Sequence, residues 1–259
     1  MFPLKDDIPT RRFPILTVAI IVACVVVYFF VERGGFGLGD TGNERVIEYG
    51  AIPYEVTHPG DECAPVEGGL LACEGQPGVQ GEAPDQPPWW VTIFTSMFMH
   101  GSLLHLGGNM LFLWIFGNNI EDSMSRWRFV LFYLGGGVAA LAAQILFQPN
   151  AAIPTVGASG AIAAVLGAYA LLYPRARVVT LIFIIIFFTI VTLPALLVLA
   201  LWFLLQLAYG ASELAQPVGG GGVAYWAHIG GFVYGLALIK LFANRVHEDY
   251  EAPQRMPVY

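Results

Sequence analysis

Charge is scarce in this chain: 12 Lys and Arg and 19 Asp and Glu stand among 259 residues, so 12% of the sequence is charged and 56% is hydrophobic. With a mean hydropathy of +0.64, that balance excludes an ordinary soluble globular domain and describes a polytopic membrane protein. Carboxylates are almost missing from the apolar part. Between Trp90 and the last apolar run the acidic residues are Glu121, Asp122 and Glu213, all in expected loops, which leaves no buried acid for a catalytic triad. Cysteine is scarce as well: Cys24 lies in the first apolar run, and Cys63 and Cys73 lie ten positions apart in a polar stretch. Those two are either a disulfide in an oxidising compartment or two free thiols.

Six stretches are long and apolar enough to cross roughly 30 Å of hydrocarbon, near 13–31, 93–118, 128–147, 156–173, 192–210 and 226–243. The expectation is an all-α polytopic bundle with six transmembrane helices. The first stretch is not a cleavable signal, because Tyr28-Phe29-Phe30 stands where small residues would be needed. The apolar run 178–209, with Pro194 near its middle, is too long for one straight crossing, so residues 178–191 are expected to lie along or dip into the membrane interface and 192–210 to cross.

Ten of the twelve basic residues fall on one side of such a bundle and only Arg33 and Arg45 on the other, so both termini are expected to be cytoplasmic. Three parts result: a cytoplasmic lead over 1–12, a membrane domain over 13–243 and a cytoplasmic tail over 244–259. The acidity belongs to one external loop, 32–90, with eleven Asp or Glu against two Arg. It reads as a solvated surface, not a nucleic-acid or substrate site. The loop ends at Trp89-Trp90, a pair suited to the membrane–water boundary.

The polar residues inside the apolar runs carry the chemistry. His105 and Asn109 are four apart, hence on one helical face. They either line an inward polar pocket or hydrogen-bond to a neighbouring helix. Gly157-Ala158-Ser159-Gly160 opens an apolar helix whose small residues Ala163 and Gly167 follow Ser159 on one face, a surface for close helix contact. His228 begins the last run with Gly231 and Gly235 on its face, so the two faces can meet with Ser159 near His228. A neutral histidine can take the serine proton, while His105, Asn109 and the Ser159 main-chain N–H can hold an oxyanion. No metal or other cofactor is implied, since no Cys, Asp or Glu accompanies His105 at its depth.

Gly-Ala-Ser-Gly at 157–160, His105-xxx-Asn109 preceded by His100, and Ala227-His228-xx-Gly231-xxx-Gly235 resemble the signatures of the rhomboid family of intramembrane serine proteases. The resemblance covers roughly 89–243. It implies a six-helix rhomboid-like bundle and a Ser159–His228 dyad, with His105 and Asn109 stabilising the transition state. His100, Gly157, Gly160, Gly231 and Gly235 become structural supports. It further implies an integral plasma (inner) membrane protein whose site faces the external side and whose partners are transmembrane substrates and the bilayer. A non-catalytic relative that escorts membrane segments is the alternative. The chain departs from the pattern at Ala163, where many relatives carry an aromatic residue supporting the histidine, so the His228 ring must be held by other packing. The glycine run 219–222 beside the fifth stretch suggests that this helix, with Trp202, forms a lateral gate.

Overall fold

The computed structural model describes residues 2–33, 44–66, 71–77, 79, 83, 86–184, 187–215 and 222–244. Strand β1 (Phe2–Asp6) leads into α1 (Ile15–Val26), which continues as a wider helical turn over Val27–Val31. The acidic loop then holds short helices α2 (Glu44–Tyr49) and α3 (Pro53–Thr57) and a small hairpin of β2 (Cys63–Pro65) and β3 (Leu71–Cys73). Helix α4 (Trp89–Thr95) precedes α5 (Leu103–Phe112), and α5 runs without a break through Leu113–Gly117 into α6 (Asn118–Asp122). Helices α7 (Arg126–Phe147) and α8 (Ser159–Leu172) follow, then β4 (Arg177–Ile184), β5 (Phe187–Pro194), α9 (Ala195–Ala215) and α10 (Tyr225–Phe242).

Helix α8 is the axis of the bundle. It is buried on nearly every side, because α7 and α10 pack against it at very short range. The sequence permits that approach. A side chain at Gly231 would strike the Gly160 carbonyl, one at Gly235 the Ala164 carbonyl, and one at Gly167 the Phe232 carbonyl. On the α7 side, a methyl at Gly160 would lie 2.6 Å from the Ala140 methyl. Without a hydrophobic drive inside a bilayer, such backbone contact is the main source of helix attraction.

Among the described residues, Arg126–Phe147, Ala195–Leu214 and Tyr225–Phe242 are long and apolar enough to cross a membrane, and Ile15–Val31 and Ser159–Leu172 are shorter apolar helices. The chain is mostly helical but not all-α, which corrects the expected class. The apolar stretch before the fifth crossing forms strands: β4 and β5 pair antiparallel, and β1 pairs with β4 to complete a three-stranded sheet. The second long helix also starts later than 93, because α4 ends at Thr95 and a turn separates it from α5.

The acidic loop is more than a solvated surface. Ala51 and Ile52 are fully buried, Thr155 N–H donates to the Ala51 carbonyl at 2.8 Å, and Tyr54 N–H to the Ala151 carbonyl at 3.1 Å. Gly50 presses on Pro154 and Val156, where a side chain would come within 2.9 and 2.8 Å. The loop therefore clamps the segment that leads into α8. Cys63 and Cys73 are joined by a disulfide across the β2–β3 pair, and Cys63 N–H donates to the buried Glu55 carboxylate at 3.0 Å. Burial pushes Glu55 up to about 7. The glycines at 219–221 and the tail beyond 244 lie outside the described residues.

Candidate active site

Ser159 is the first residue of α8, and the ladder behind it begins with Ile162 N–H donating to the Ala158 carbonyl at 2.9 Å. The N–H groups of Ser159, Gly160 and Ala161 therefore have no partner within the helix. The turn before it depends on Gly157, whose φ of +117° lies in the region that favours glycine. Space demands glycine there too, since a methyl would meet His105 Nε2 at 2.7 Å and Asn109 Nδ2 at 3.3 Å. The missing side chain brings the α5 pair against the start of α8.

His105 is set by its own helix start. Ser102 caps α5, its hydroxyl accepting the His105 N–H at 3.2 Å. Asn109 follows one turn later, buried, with an Nδ2 that has no hydrogen-bond partner among the described residues. His100 sits behind them, fully buried, its ring 5.2 Å from that of His105. Its Nδ1 donates to the Phe98 carbonyl at 3.1 Å, leaving Nε2 to accept a long 3.5 Å contact from Ala158 N–H. Its own main-chain N–H donates to both oxygens of buried Glu32, at 3.0 and 3.1 Å. His100 thus ties the end of α1 and the lead into α5 to the turn before Ser159.

His228 stands in the first turn of α10, a position fixed in part by Gln144 of α7, whose Oε1 accepts the Ala227 N–H at 3.2 Å. Its Nε2 is 2.8 Å from Ser159 Oγ. Its Nδ1 is 2.8 Å from Oε1 of Gln206, and the Trp202 ring packs beside it with centroids 5.7 Å apart. Both contacts come from α9. The glycine contacts at Gly231 and Gly235 keep α10 near enough to α8 for the Ser159 bond to form. Ser159, His228, His105 and Asn109 all line one open cavity of about 610 Å³, whose walls are mainly apolar.

Gln206, Gln144, Ser102 and Glu32 were not singled out by sequence reasoning. Gln206 carried a usable signal: it is the single side-chain amide in the 192–210 apolar run, and polar groups at that depth are costly unless used. Its partner, 22 positions away on another helix, could not be read from spacing. Trp202, expected to take part in a gate, packs its ring beside those of His228 and Phe232.

A mostly helical membrane protein with a serine and a histidine in hydrogen-bond contact at the head of its central helix is the class that this fold and site define. Residues 87–245, more than half of the chain, match the Rhomboid domain family model. The protein belongs to the rhomboid family. It is 32% identical over 155 residues to "Rhomboid protease GluP" of Bacillus subtilis (strain 168), a match covering 60% of this chain and 24% of that protein. It is 30% identical over 152 residues to "Rhomboid protein 1, mitochondrial" of Saccharomyces cerevisiae, covering 56% of this chain and 40% of that one. Over 75 residues it is 39% identical to "Rhomboid-like protein 11, chloroplastic" of Arabidopsis thaliana, covering 29% and 26%. The matches thus span between about a quarter and two fifths of these relatives' own length.

Proposed function

We propose that the protein is an intramembrane serine endopeptidase that hydrolyses peptide bonds in or near transmembrane segments of membrane-protein substrates. The observation that carries this reading is the 2.8 Å contact between Ser159 Oγ and His228 Nε2 at the edge of a cavity also lined by Asn109, whose Nδ2 has no partner among the described residues. Ser159 Oγ attacks the scissile carbonyl carbon while His228 Nε2 takes its proton. The tetrahedral oxyanion is held by Asn109 Nδ2, His105 and the Ser159 main-chain N–H. His228 then gives the proton to the leaving amine, and a water molecule, activated by the same nitrogen, releases the acyl group from Ser159. His100, Gly157, Gly160, Gly231 and Gly235 act by support: they fix the α5–α8 and α8–α10 contacts that set these distances.

The described helices fit six crossings if Ile15–Val31, the continuous α5–α6 rod and Ser159–Leu172 span with the three longer ones. Both termini then lie in the cytoplasm and Ser159 opens toward the external side, in a plasma (inner) membrane. The Cys63–Cys73 disulfide supports an oxidising compartment on that side. Proteolysis would need only a membrane-embedded substrate and the bilayer as partners.

The test is cleavage of a single-span reporter in proteoliposomes by the wild type, Ser159→Ala and His228→Ala. Loss of the cut in both variants, by on the order of 10³-fold or more, is the expected result. A cut that persists in Ser159→Ala would overturn the assignment. No cut by the wild type and no fluorophosphonate label on Ser159 would favour an escort of membrane segments.

A further inference from the structure

We infer that Gln206 of α9 is a positioning residue for the base: its side-chain amide holds His228 in the one tautomer that can accept the Ser159 proton. The inference rests on the Ser159–His228 reading above. In other serine hydrolases that task belongs to a carboxylate. Here every acidic residue between Trp90 and the last span lies elsewhere, and the two ring nitrogens of His228 meet a hydroxyl and an amide instead.

Three observations converge on Gln206. Its Oε1 lies 2.8 Å from His228 Nδ1, and an amide oxygen can only accept, so Nδ1 carries the hydrogen. Nε2 is then left with its lone pair aimed at Ser159 Oγ, 2.8 Å away. The direction of the amide is fixed independently. Gln206 Nε2 lies 3.4 Å from the Trp202 carbonyl, another group that can only accept, so the nitrogen belongs on that side and the oxygen on the histidine side. Finally, Gln206 is buried although its helical neighbours Leu204 and Leu205 are exposed at 58% and 52%, so α9 turns its amide inward and its leucines outward.

Trp202 lies one turn before Gln206 on the same face, and its ring packs beside the imidazole. Together the two side chains do what Ala163 cannot: one blocks rotation of the ring, and the other fixes which nitrogen is protonated. As Ser159 attacks, its proton moves to Nε2 and the imidazolium keeps the Nδ1 hydrogen on the amide oxygen. No proton passes to Gln206. The amide contributes a dipole where an acid would contribute a charge, and among the described residues the other titratable side chain lining the cavity with His228 is His105 of α5.

The experiment compares wild type, Gln206→Leu and Gln206→Glu in proteoliposomes, reading reporter kcat and KM, the fluorophosphonate labelling rate of Ser159, and thermal melting, from about pH 5 to about pH 9. Gln206→Leu is expected to lower kcat and the labelling rate by about 10-fold to 100-fold with little change in KM, because the tautomer is no longer held. Gln206→Glu keeps the acceptor and adds a negative charge that favours the imidazolium, so it restores the rate at high pH and moves the acid limb of the profile upward. Wild-type rates in folded Gln206→Leu, or an acid limb unmoved in Gln206→Glu, would overturn the inference. Should the leucine variant fail to fold, the position of that limb decides alone. If wild type neither cuts nor labels, the dyad reading falls and this inference with it; if wild type labels and Gln206→Leu labels equally fast, this inference alone falls.

Discussion

The two ends of α8 bury polar groups in opposite ways. At the Tyr169 end the buried groups are carboxylates with donors arranged around them. Asp6 accepts from Asn119 Nδ2 at 2.6 Å and from the Tyr169 hydroxyl at 2.7 Å. Glu121 caps α1, accepting from the main-chain N–H groups of Leu16 and Thr17 at 3.1 and 2.8 Å and from the Thr17 hydroxyl at 2.9 Å. Asp122 takes the Arg11 N–H at 2.8 Å and the Arg12 guanidinium at 3.0 Å. At the Ser159 end the Glu32 carboxyl behind His100 is likewise supplied with a donor, but hydroxyl, imidazole and amide groups line a cavity, and Asn109 Nδ2 has no partner among the described residues. A buried charge with its donors in place is part of the fold. A buried amide left open beside a cavity points to something that must arrive there.

That contrast can be broken by two substitutions. Asn109→Ala is expected to lower kcat by about 10-fold to 1000-fold, as loss of one oxyanion donor does, with the melting temperature in detergent almost unchanged because no internal bond of Nδ2 is lost. Glu121→Ala is expected to do the reverse. It uncaps α1 and strands three donors, costing about 1–3 kcal/mol of stability, while turnover per folded molecule stays near wild type. Thermal melting and active-site-normalised cleavage on the same samples separate the two. A large stability loss in the first variant, or a large turnover loss in the second, would erase the distinction between the ends.

Much of the Ser159 end was legible because glycine and small residues advertise close contact. Gly157 and Gly160 flank the serine, and Gly231 and Gly235 follow the histidine at helical spacing; the second pair meets the main chain of α8, while Gly157 makes room for the His105 and Asn109 side chains and Gly160 for the Ala140 methyl. The sheet was not legible. Residues 178–193 are apolar almost throughout, so no alternation separated strand from helix, and only their β-branched and aromatic content pointed to β structure. The clamp made by Gly50, Ala51 and Tyr54 was hidden for another reason: its apolar residues are few and sit inside an acidic loop, whose composition describes its exposed face. Gln206 was hidden because its meaning is a contact between helices, which no spacing within α9 records.

The Asp6 end offers a finer test, because its carboxyl titrates within reach of ordinary buffers. Burial raises Asp6 from its ordinary 3.8 to about 6; the hydrogen bond from Tyr169 opposes that rise, neighbouring Asp7 adds to it and Lys5 opposes it more weakly. A carboxyl whose folded value lies above its unfolded one binds its proton more tightly when folded. Its contribution to docking of β1 is therefore fully present below about 3.8 and lost as the pH rises through about 6. Amide hydrogen exchange in Phe2–Asp6 and its partner β4 should accordingly show stronger protection below this window than above it, after correction for intrinsic rates. Asp6→Asn, neutral at every pH and still able to accept from Asn119 and Tyr169, should flatten that dependence and leave the Ser159 end untouched. Equal pH dependence in both proteins would place the titrating group elsewhere and remove Asp6 from the fastening of the N-terminal strand.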